Sequence, residues 1–91
     1  MIVKYRKTFK KQYNKLPKKI KLKFDSRFDV FFNNPFDKIL KNHKLSWNFL
    51  WFNNIDITWD YRAIFKELSN WNYEFVEFFM FEHIVSYIDN F

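Results

Sequence analysis

The sequence predicts an α+β domain with the element order β-α-α-β-β-β, in which a helical hairpin packs on one face of an antiparallel sheet. Apolar residues repeat at helical spacing in the first third of the chain, and Pro17 divides them into two segments. The second half contains three runs rich in β-branched and aromatic residues, separated by short turn-like segments. The chain has 91 residues and no visible internal repeat, so we expect residues 1–91 to form a single domain.

The first two elements are a short strand and an amphipathic helix. In "IVKYRKT", Val3 and Tyr5 alternate with Lys4 and Arg6, which predicts a strand with two unlike sides. Thr8 is a suitable N-cap for the helix that follows in "FKKQYNKL". The apolar stripe of this helix comprises Phe9, Tyr13 and Leu16.

The second helix begins near Pro17, which ends the first helix and fits the first turn of the next one. Its apolar stripe comprises Ile20, Phe24, Phe28 and Phe31. The helix is expected to end near Asn33-Asn34-Pro35, so the two helices form a hairpin. The segment "PFDKILKNHKLSWN" is polar and irregular, which predicts a connecting loop with room for one helical turn.

Three strands complete the domain. They are predicted in "FLWFNNIDI", "YRAIFKEL" and "YEFVEFFMF". The separating segments "TWD" and "SNWN" are short, which favours an antiparallel meander. The final "EHIVSYIDNF" is compatible with a strand end, a short helix or a tail.

The charge balance points to an anionic partner. Lys and Arg number 16 against 10 Asp and Glu, which gives a net charge of +6 and suits nucleic acid, an acidic protein segment or a membrane surface. The absence of Cys excludes disulfides and thiolate metal sites. No apolar run approaches the ~20 residues of a membrane span, and no signal peptide is recognisable, so we expect a soluble, cytoplasmic protein.

Two features of the composition are unusual together: the chain has no Gly and four Trp. One of these, Trp71, lies in "SNWN", where a tight hairpin turn usually needs a residue at positive φ. A bulky residue is an outlier in that region of backbone space, and Gly is the usual solution.

Four segments together resemble the RelE/ParE toxin superfamily, and specifically its YafQ-like branch. They are "FKKQYNKLPKKI", "NPFDKILKNHKLS", "IDITWDYRAIFKEL" and "YEFVEFF", and the resemblance covers residues 3–79. It implies the toxin of a type II toxin–antitoxin system, a ribosome-associated endoribonuclease that cleaves mRNA by metal-independent acid–base catalysis. The implied partners are mRNA, the ribosome and a small acidic antitoxin, and no cofactor or metal is implied.

The resemblance also offers an explanation for the tryptophans. Trp47, Trp51, Trp59 and Trp71 all fall where this family prefers Gly. We interpret them as glycines whose UGA codons have been decoded as Trp. The alternative is that the four Trp are genuine and pack in their loops, and four UGG codons in the gene would establish it.

The resemblance implies four catalytic residues, and three of them also have an ordinary structural interpretation. His43, in "NHKL", is a base or supports one, but a loop histidine is often merely solvated. Asp60 has the same candidate role, but the residue also suits a turn. Arg62 contacts the scissile phosphate or forms a cross-strand ion pair. His83 is the candidate general acid.

The predicted RNA-binding residues lie around this group and on the helices. Tyr61 and Tyr87 position the nucleotide, although Tyr61 is equally suited to the core. Lys44 follows His43, and Asp56 alternates with two isoleucines, so its carboxylate points away from them and is either a site residue or an exposed strand residue. The lysines implied are Lys10, Lys11, Lys18 and Lys19, within a set of seven between positions 10 and 23 that is otherwise a solvated helix surface.

Some residues depart from the family pattern, and they keep two other functions open. Asn53 replaces an Arg, and the segment from His83 to Tyr87 lacks the Ser that follows His in the family and matches only with a one-residue deletion. A ParE-like poison of DNA gyrase would bind without cutting RNA, whereas the titratable His43 loop favours a nuclease. An inactive, decayed copy is the third interpretation.

Overall fold

The computed structural model describes residues 1–45 and 52–80. Its elements are β1 (Ile2–Tyr5), α1 (Lys7–Lys15), α2 (Lys18–Asn33), a 3₁₀ turn (Lys38–Leu40), β2 (His43–Lys44), β3 (Asn53–Asp56), β4 (Tyr61–Ser69) and β5 (Asn72–Met80). The strands form one sheet in the order β1-β5-β4-β3-β2. The two helices pack on one face of this sheet through their apolar stripes. None of the helices in these residues is long and apolar enough to cross a bilayer.

The predicted α+β class with a helical hairpin on a sheet is confirmed, but the sheet is mixed rather than wholly antiparallel. β2, β3, β4 and β5 pair antiparallel in sequence order, whereas β1 pairs parallel with β5. The physical reason is that no tight turn joins β1 to β5: both helices and three strands lie between them in the chain, and such a long connection allows two paired strands to run in the same direction.

Aromatic rings fill the space between the helices and the sheet. Phe9 and Phe24 both contact Phe78, at ring-centroid distances of 4.1 and 5.0 Å. Phe31 is fully buried and lies 5.0 Å from Phe65 and 5.1 Å from Phe75. Both predicted apolar stripes therefore face the sheet, and the abundance of Phe supplies a large buried area for a small domain.

The first helix begins differently from the sequence prediction. Thr8 was expected to be the N-cap, but α1 starts at Lys7, and Arg6 takes the extended N-cap position without a capping side chain. The backbone N–H of Arg6 donates to the carbonyl of Phe75 at 2.9 Å. The pairing of β1 with β5 therefore fixes the point where the strand becomes a helix, and a hydroxyl cap is not needed there.

The connecting segment is more regular than predicted. It contains the expected single helical turn, and His43, predicted to be in a loop, lies instead on the two-residue strand β2 because it pairs with Asn54 of β3. Of the predicted strand "FLWFNNIDI", Asn53–Asp56 is confirmed as β3, and positions 49–51 lie outside the described residues. The final "EHIVSYIDNF" also lies outside the described residues. The strand that precedes it ends at Met80.

The turn between β4 and β5 contains the predicted positive φ. Trp71 has φ 61°, and the other non-glycine residue at positive φ among the described residues is Lys41, at 50°. Trp59 is therefore not in the left-handed region, although it was grouped with Trp71 by the same interpretation. Trp47 and Trp51 lie outside the described residues.

Candidate active site on the outer face of the sheet

One face of the sheet carries three of the predicted site residues, His43, Asp56 and Arg62. Side chains alternate between the two faces along a strand, and directly paired residues of neighbouring strands share a face. The helices cover the face that holds Ile55, Ala63 and Phe78. We call the opposite one the outer face. It carries His43 of β2, Asn54 and Asp56 of β3, Arg62, Ile64 and Lys66 of β4, and Glu74, Glu77 and Phe79 of β5.

His43 lies at one edge of the outer face with an exposed side chain. Its Nδ1 lies 2.7 Å from the carbonyl oxygen of Lys41. A carbonyl oxygen only accepts, so Nδ1 carries the proton in this bond and Nε2 of the neutral ring is left as an acceptor. His43 is directly opposite Asn54, which makes Asp56 its diagonal neighbour at about 7–8 Å.

Asp56 and Arg62 form a cross-strand ion pair. They are register partners in β3 and β4, and Arg62 Nε lies 2.8 Å from Asp56 Oδ1. The Arg62 side chain is 16% exposed and the Asp56 side chain 19%, so the pair is shielded from bulk solvent more than a typical surface ion pair. Arg62 thus forms the cross-strand ion pair that was its structural interpretation, and Asp56 is its partner. Both lie on the same face as His43.

The Arg62 guanidinium also holds the turn between β3 and β4. Its Nη1 donates to the carbonyl oxygens of Thr58, Trp59 and Tyr61, at 2.7, 2.8 and 3.1 Å. Together with the ion pair through Nε, these contacts fix the orientation of the guanidinium. The positive charge is therefore held beside the turn.

Asp60 belongs to the same turn. Its Oδ1 accepts a 2.6 Å hydrogen bond from the hydroxyl of Thr58, and that hydroxyl accepts from the backbone N–H of Tyr61 at 3.2 Å. These bonds are typical of a residue that forms a turn. Thr58 contacts both residues, Asp60 through its hydroxyl and Arg62 through its carbonyl, so Asp60 and Arg62 are linked through one turn.

Tyr61 and Arg62 face opposite sides of the sheet. Tyr61 packs against the core below the helices, whereas Arg62 lies on the outer face. The structure therefore does not bring the Tyr61 ring to the same surface as His43 and Arg62. His83 and Tyr87, the predicted acid and its aromatic neighbour, lie outside the described residues.

The predicted RNA-binding lysines divide between two surfaces. Lys44 is exposed next to His43 at the edge of the sheet. The helix lysines are exposed, but they belong to the layer that covers the other face of the sheet; they are Lys10, Lys11, Lys18 and Lys19. No group of three side chains suited to hold a metal ion occurs in residues 1–45 and 52–80.

The comparisons with known proteins rest on structure. No protein-family model matches the sequence, and no curated protein does. YafQ from E. coli strain BL21(DE3) superposes with a TM-score of 0.74 at 20% identity, covering 90% of this chain and 94% of its own. A YoeB/ParE toxin from Agrobacterium tumefaciens gives 0.73 at 14% identity, covering 88% and 98%. The archaeal RelE–RelB complex from Pyrococcus horikoshii OT3 gives 0.67 at 21% identity, covering 88% and 93%.

The fold is that of the RelE, YafQ and YoeB toxins. The similarity covers most of each chain at identities too low to transfer individual residues. It agrees with the fold that the resemblance seen in the sequence implies.

Sequence reasoning missed two features of the outer face of this RelE-like sheet. Asn54 is only 3% exposed, and its Oδ1 has no hydrogen-bond partner within the part of the chain that the structure describes. Glu74 accepts from Arg6 at 3.0 Å and lies 3.7 Å from Lys66 Nζ, so a second ion-pair cluster lies beyond Arg62. Lys66 follows Arg62 by four residues in a strand, a spacing that places both on one face and was readable from the sequence.

Proposed function

We propose that the protein is the toxin of a type II toxin–antitoxin system and acts as a ribosome-associated endoribonuclease that cleaves mRNA without a metal ion. The observation that carries the proposal is the placement of His43 beside the Asp56–Arg62 pair, on adjacent strands of a fold shared with YafQ and RelE toxins. An imidazole with a free Nε2 and a shielded guanidinium are the two kinds of group that RNA transesterification requires.

The first half of the proposed reaction is proton removal and attack. His43 Nε2, with Asp60 as the alternative base or its support, takes the proton of a ribose 2′-OH. The 2′-oxygen then forms a bond to the adjacent phosphorus. Negative charge increases on the non-bridging phosphate oxygens as this bond forms, and a cation fixed close to them lowers the barrier.

Arg62 is the proposed cation. Its guanidinium is held in place by the turn carbonyls before any RNA binds, so little reorganisation is needed when charge develops. The guanidinium is proposed to contact a phosphate oxygen. The neighbouring Asp56 lowers the net charge of the pair, and Lys44 at the edge of the sheet adds a further positive charge.

The second half of the reaction is departure of the leaving group. The bond from phosphorus to the 5′-oxygen breaks, an acid supplies a proton to that oxygen, and the upstream fragment ends in a 2′,3′-cyclic phosphate. His83 is the proposed acid, and Tyr87 is proposed to position the nucleotide, as the family resemblance implies. Tyr61 is not assigned this role, because its ring packs on the other side of the sheet. Asp56 is proposed to act through Arg62, which it contacts directly.

The helix lysines are proposed to bind ribosomal RNA rather than the cleaved strand. They lie in the helical layer, across the sheet from His43 and Arg62. A contact made through phosphates alone releases counterions and weakens steeply as salt increases. This arrangement separates ribosome affinity from the chemistry.

A small acidic antitoxin is the proposed protein partner. One structural neighbour is a RelE–RelB complex, and the net charge of this chain is +6. An acidic, extended segment would be attracted to such a surface and could cover the outer face. The antitoxin would then block RNA binding by occupying the same surface.

Single-turnover cleavage of mRNA on purified ribosomes tests the proposal. His43→Ala and His83→Ala should each lower the cleavage rate by roughly 10²–10⁴-fold while ribosome binding survives, since an acid or base is worth about that much. Ser26→Ala, an exposed position of α2 away from the site, is the matched control. Full activity in both histidine variants would contradict imidazole catalysis.

The same preparation separates the proposed function from the gyrase alternative. A YoeB/ParE toxin is among the structural neighbours, so inhibition of DNA supercoiling must be measured beside RNA cleavage. Inhibition of supercoiling without RNA cleavage would establish the ParE-like interpretation, a poison of DNA gyrase. Loss of both activities in a folded protein would indicate an inactive copy.

A further inference from the structure

A left-handed residue sets the position of the His43 imidazole. Lys41, directly after the 3₁₀ turn, has φ 50° and ψ 44°. Its backbone N–H donates to the carbonyl of Lys38 at 3.2 Å, and its own carbonyl accepts from His43 Nδ1 at 2.7 Å. A non-glycine residue in this region is uncommon and is retained where the surrounding contacts enforce it.

The side chain of Asn42 supplies such contacts. Its Nδ2 donates to the carbonyl of Pro35 at 2.8 Å, and its Oδ1 accepts from Asn53 Nδ2 at 3.0 Å. Pro35 is fully buried, and Asn53 is part of β3, so one amide joins the start of the connecting segment to the sheet. Leu40, the residue before Lys41, is also fully buried and anchors this part of the chain in the core.

We propose that residues 41–43, which we call the histidine seat, hold neutral His43 as its Nδ1–H tautomer and leave Nε2 unprotonated. A free neutral imidazole in water favours the other tautomer, with the proton on Nε2, so a fixed acceptor at Nδ1 is what reverses the preference. The seat deepens the proposed function, because it rests on His43 as the base. Lys41 acts through its backbone and Asn42 through its amide, so both are positioning residues.

Two substitutions of one residue isolate the backbone effect. Lys41→Gly and Lys41→Val both remove the same ammonium group, but Gly adopts φ near 50° without steric cost, whereas β-branched Val strongly resists it. Asn42→Ala is the second, independent disruption, since it removes both amide bonds. Melting curves establish that each variant is folded.

The decisive measurement is the ¹⁵N shift of the two ring nitrogens, recorded without RNA at a pH where the ring is neutral. His83→Gln serves as the background, so that the remaining signals belong to His43. The parent and Lys41→Gly should show the Nδ1–H tautomer, and Lys41→Val and Asn42→Ala should shift toward Nε2–H. With His83 restored, cleavage by Lys41→Val should fall about tenfold or more below that of Lys41→Gly, because misplacing a reacting group is costly.

The two readouts distinguish failure of the seat from failure of the proposed function. A folded Lys41→Val or Asn42→Ala variant that keeps the Nδ1–H tautomer would overturn the seat, as would reduced cleavage with no change of tautomer. The NMR measurement needs no catalysis. If the parent cleaves no RNA, the proposed function fails, and the tautomer shift alone still decides whether the seat exists.

Discussion

Replacing Trp71 tests whether the turn between β4 and β5 stores conformational strain. Trp71 has φ 61°, and its indole is 52% exposed and does not pack against the core within the described part of the chain. An L-residue in the left-handed region costs roughly 1–2 kcal/mol relative to Gly. Gly in turn gives the unfolded chain more entropy than Ala, which costs about 0.4–1 kcal/mol.

The comparison of Gly with Ala at one position removes the contribution of the indole. Trp71→Gly and Trp71→Ala lose the same ring, and they differ in strain and in unfolded-state entropy. Strain relief exceeds the entropy cost, so Trp71→Gly should be more stable than Trp71→Ala by about 0.5–1 kcal/mol, or roughly 2–8 °C in melting temperature.

Trp59 is the matched control. It is 80% exposed in the turn between β3 and β4 but does not have positive φ. Replacing it with Gly therefore brings the entropy cost without relief of strain. At position 59 the Ala variant should be the more stable, and the Gly–Ala difference changes sign between the two turns.

Thermal melting and urea titration of the four variants provide the assay. Equal stability of Trp71→Gly and Trp71→Ala, or higher stability of the Ala variant, would refute the strain argument. The same result would remove the structural support for a glycine at this position.

Three further predictions follow from the contacts. Burial, and then the nearby carboxylate of Glu67, raise the pKa of Tyr73, so the folded state favours the protonated phenol. This contribution to stability is fully present below the ordinary pKa of 10.0 and is lost as pH rises through the folded-state pKa. Urea titrations between pH 9 and 11 should therefore show a smaller decline in the free energy of unfolding for Tyr73→Phe than for the parent. Asp56→Asn should lower the free energy of unfolding by about 1–2 kcal/mol, because it leaves the shielded Arg62 guanidinium without its anion, and a melting temperature within 1–2 °C of the parent would contradict this. Co-expression with an acidic protein encoded beside the gene should yield a soluble complex and restore growth, and the absence of rescue by any neighbouring gene would argue against the toxin proposal.

The helices and the core were predictable because their signals are local. Phe9, Phe24 and Phe31 are all buried, as their helical spacing indicates. The positive φ at Trp71 was equally local, since a hairpin of that length requires it. The parallel pairing of β1 with β5 was not local. It joins residues about 70 positions apart, and the sequence of neither strand indicates which strand it pairs with.

Candidate site residues could be proposed from the sequence, but their contacts could not. Alternation places His43, Asp56 and Arg62 on one face only once β2 is known to exist, and a two-residue strand has no periodicity to detect. Thr8 and Arg6 show the same limit at α1, where the sheet fixes the helix start. Asn54 was overlooked because an Asn in a strand gives no sign of burial or of an unpaired oxygen until the fold surrounds it.

The contacts of Arg62 determine how its substitution must be interpreted. Its Nη1 bonds hold the turn that contains Asp60, and its Nε bond neutralises Asp56. Arg62→Ala would therefore remove the proposed phosphate cation and loosen the turn at the same time, and a loss of cleavage would not separate the two. Arg62→Lys keeps the charge but cannot contact the turn carbonyls and Asp56 at once, because an ammonium is a single point rather than a fork. If the lysine variant melts lower but cleaves at a rate close to the parent, the charge alone serves catalysis; if it melts normally and cleaves poorly, the fixed position of the guanidinium does.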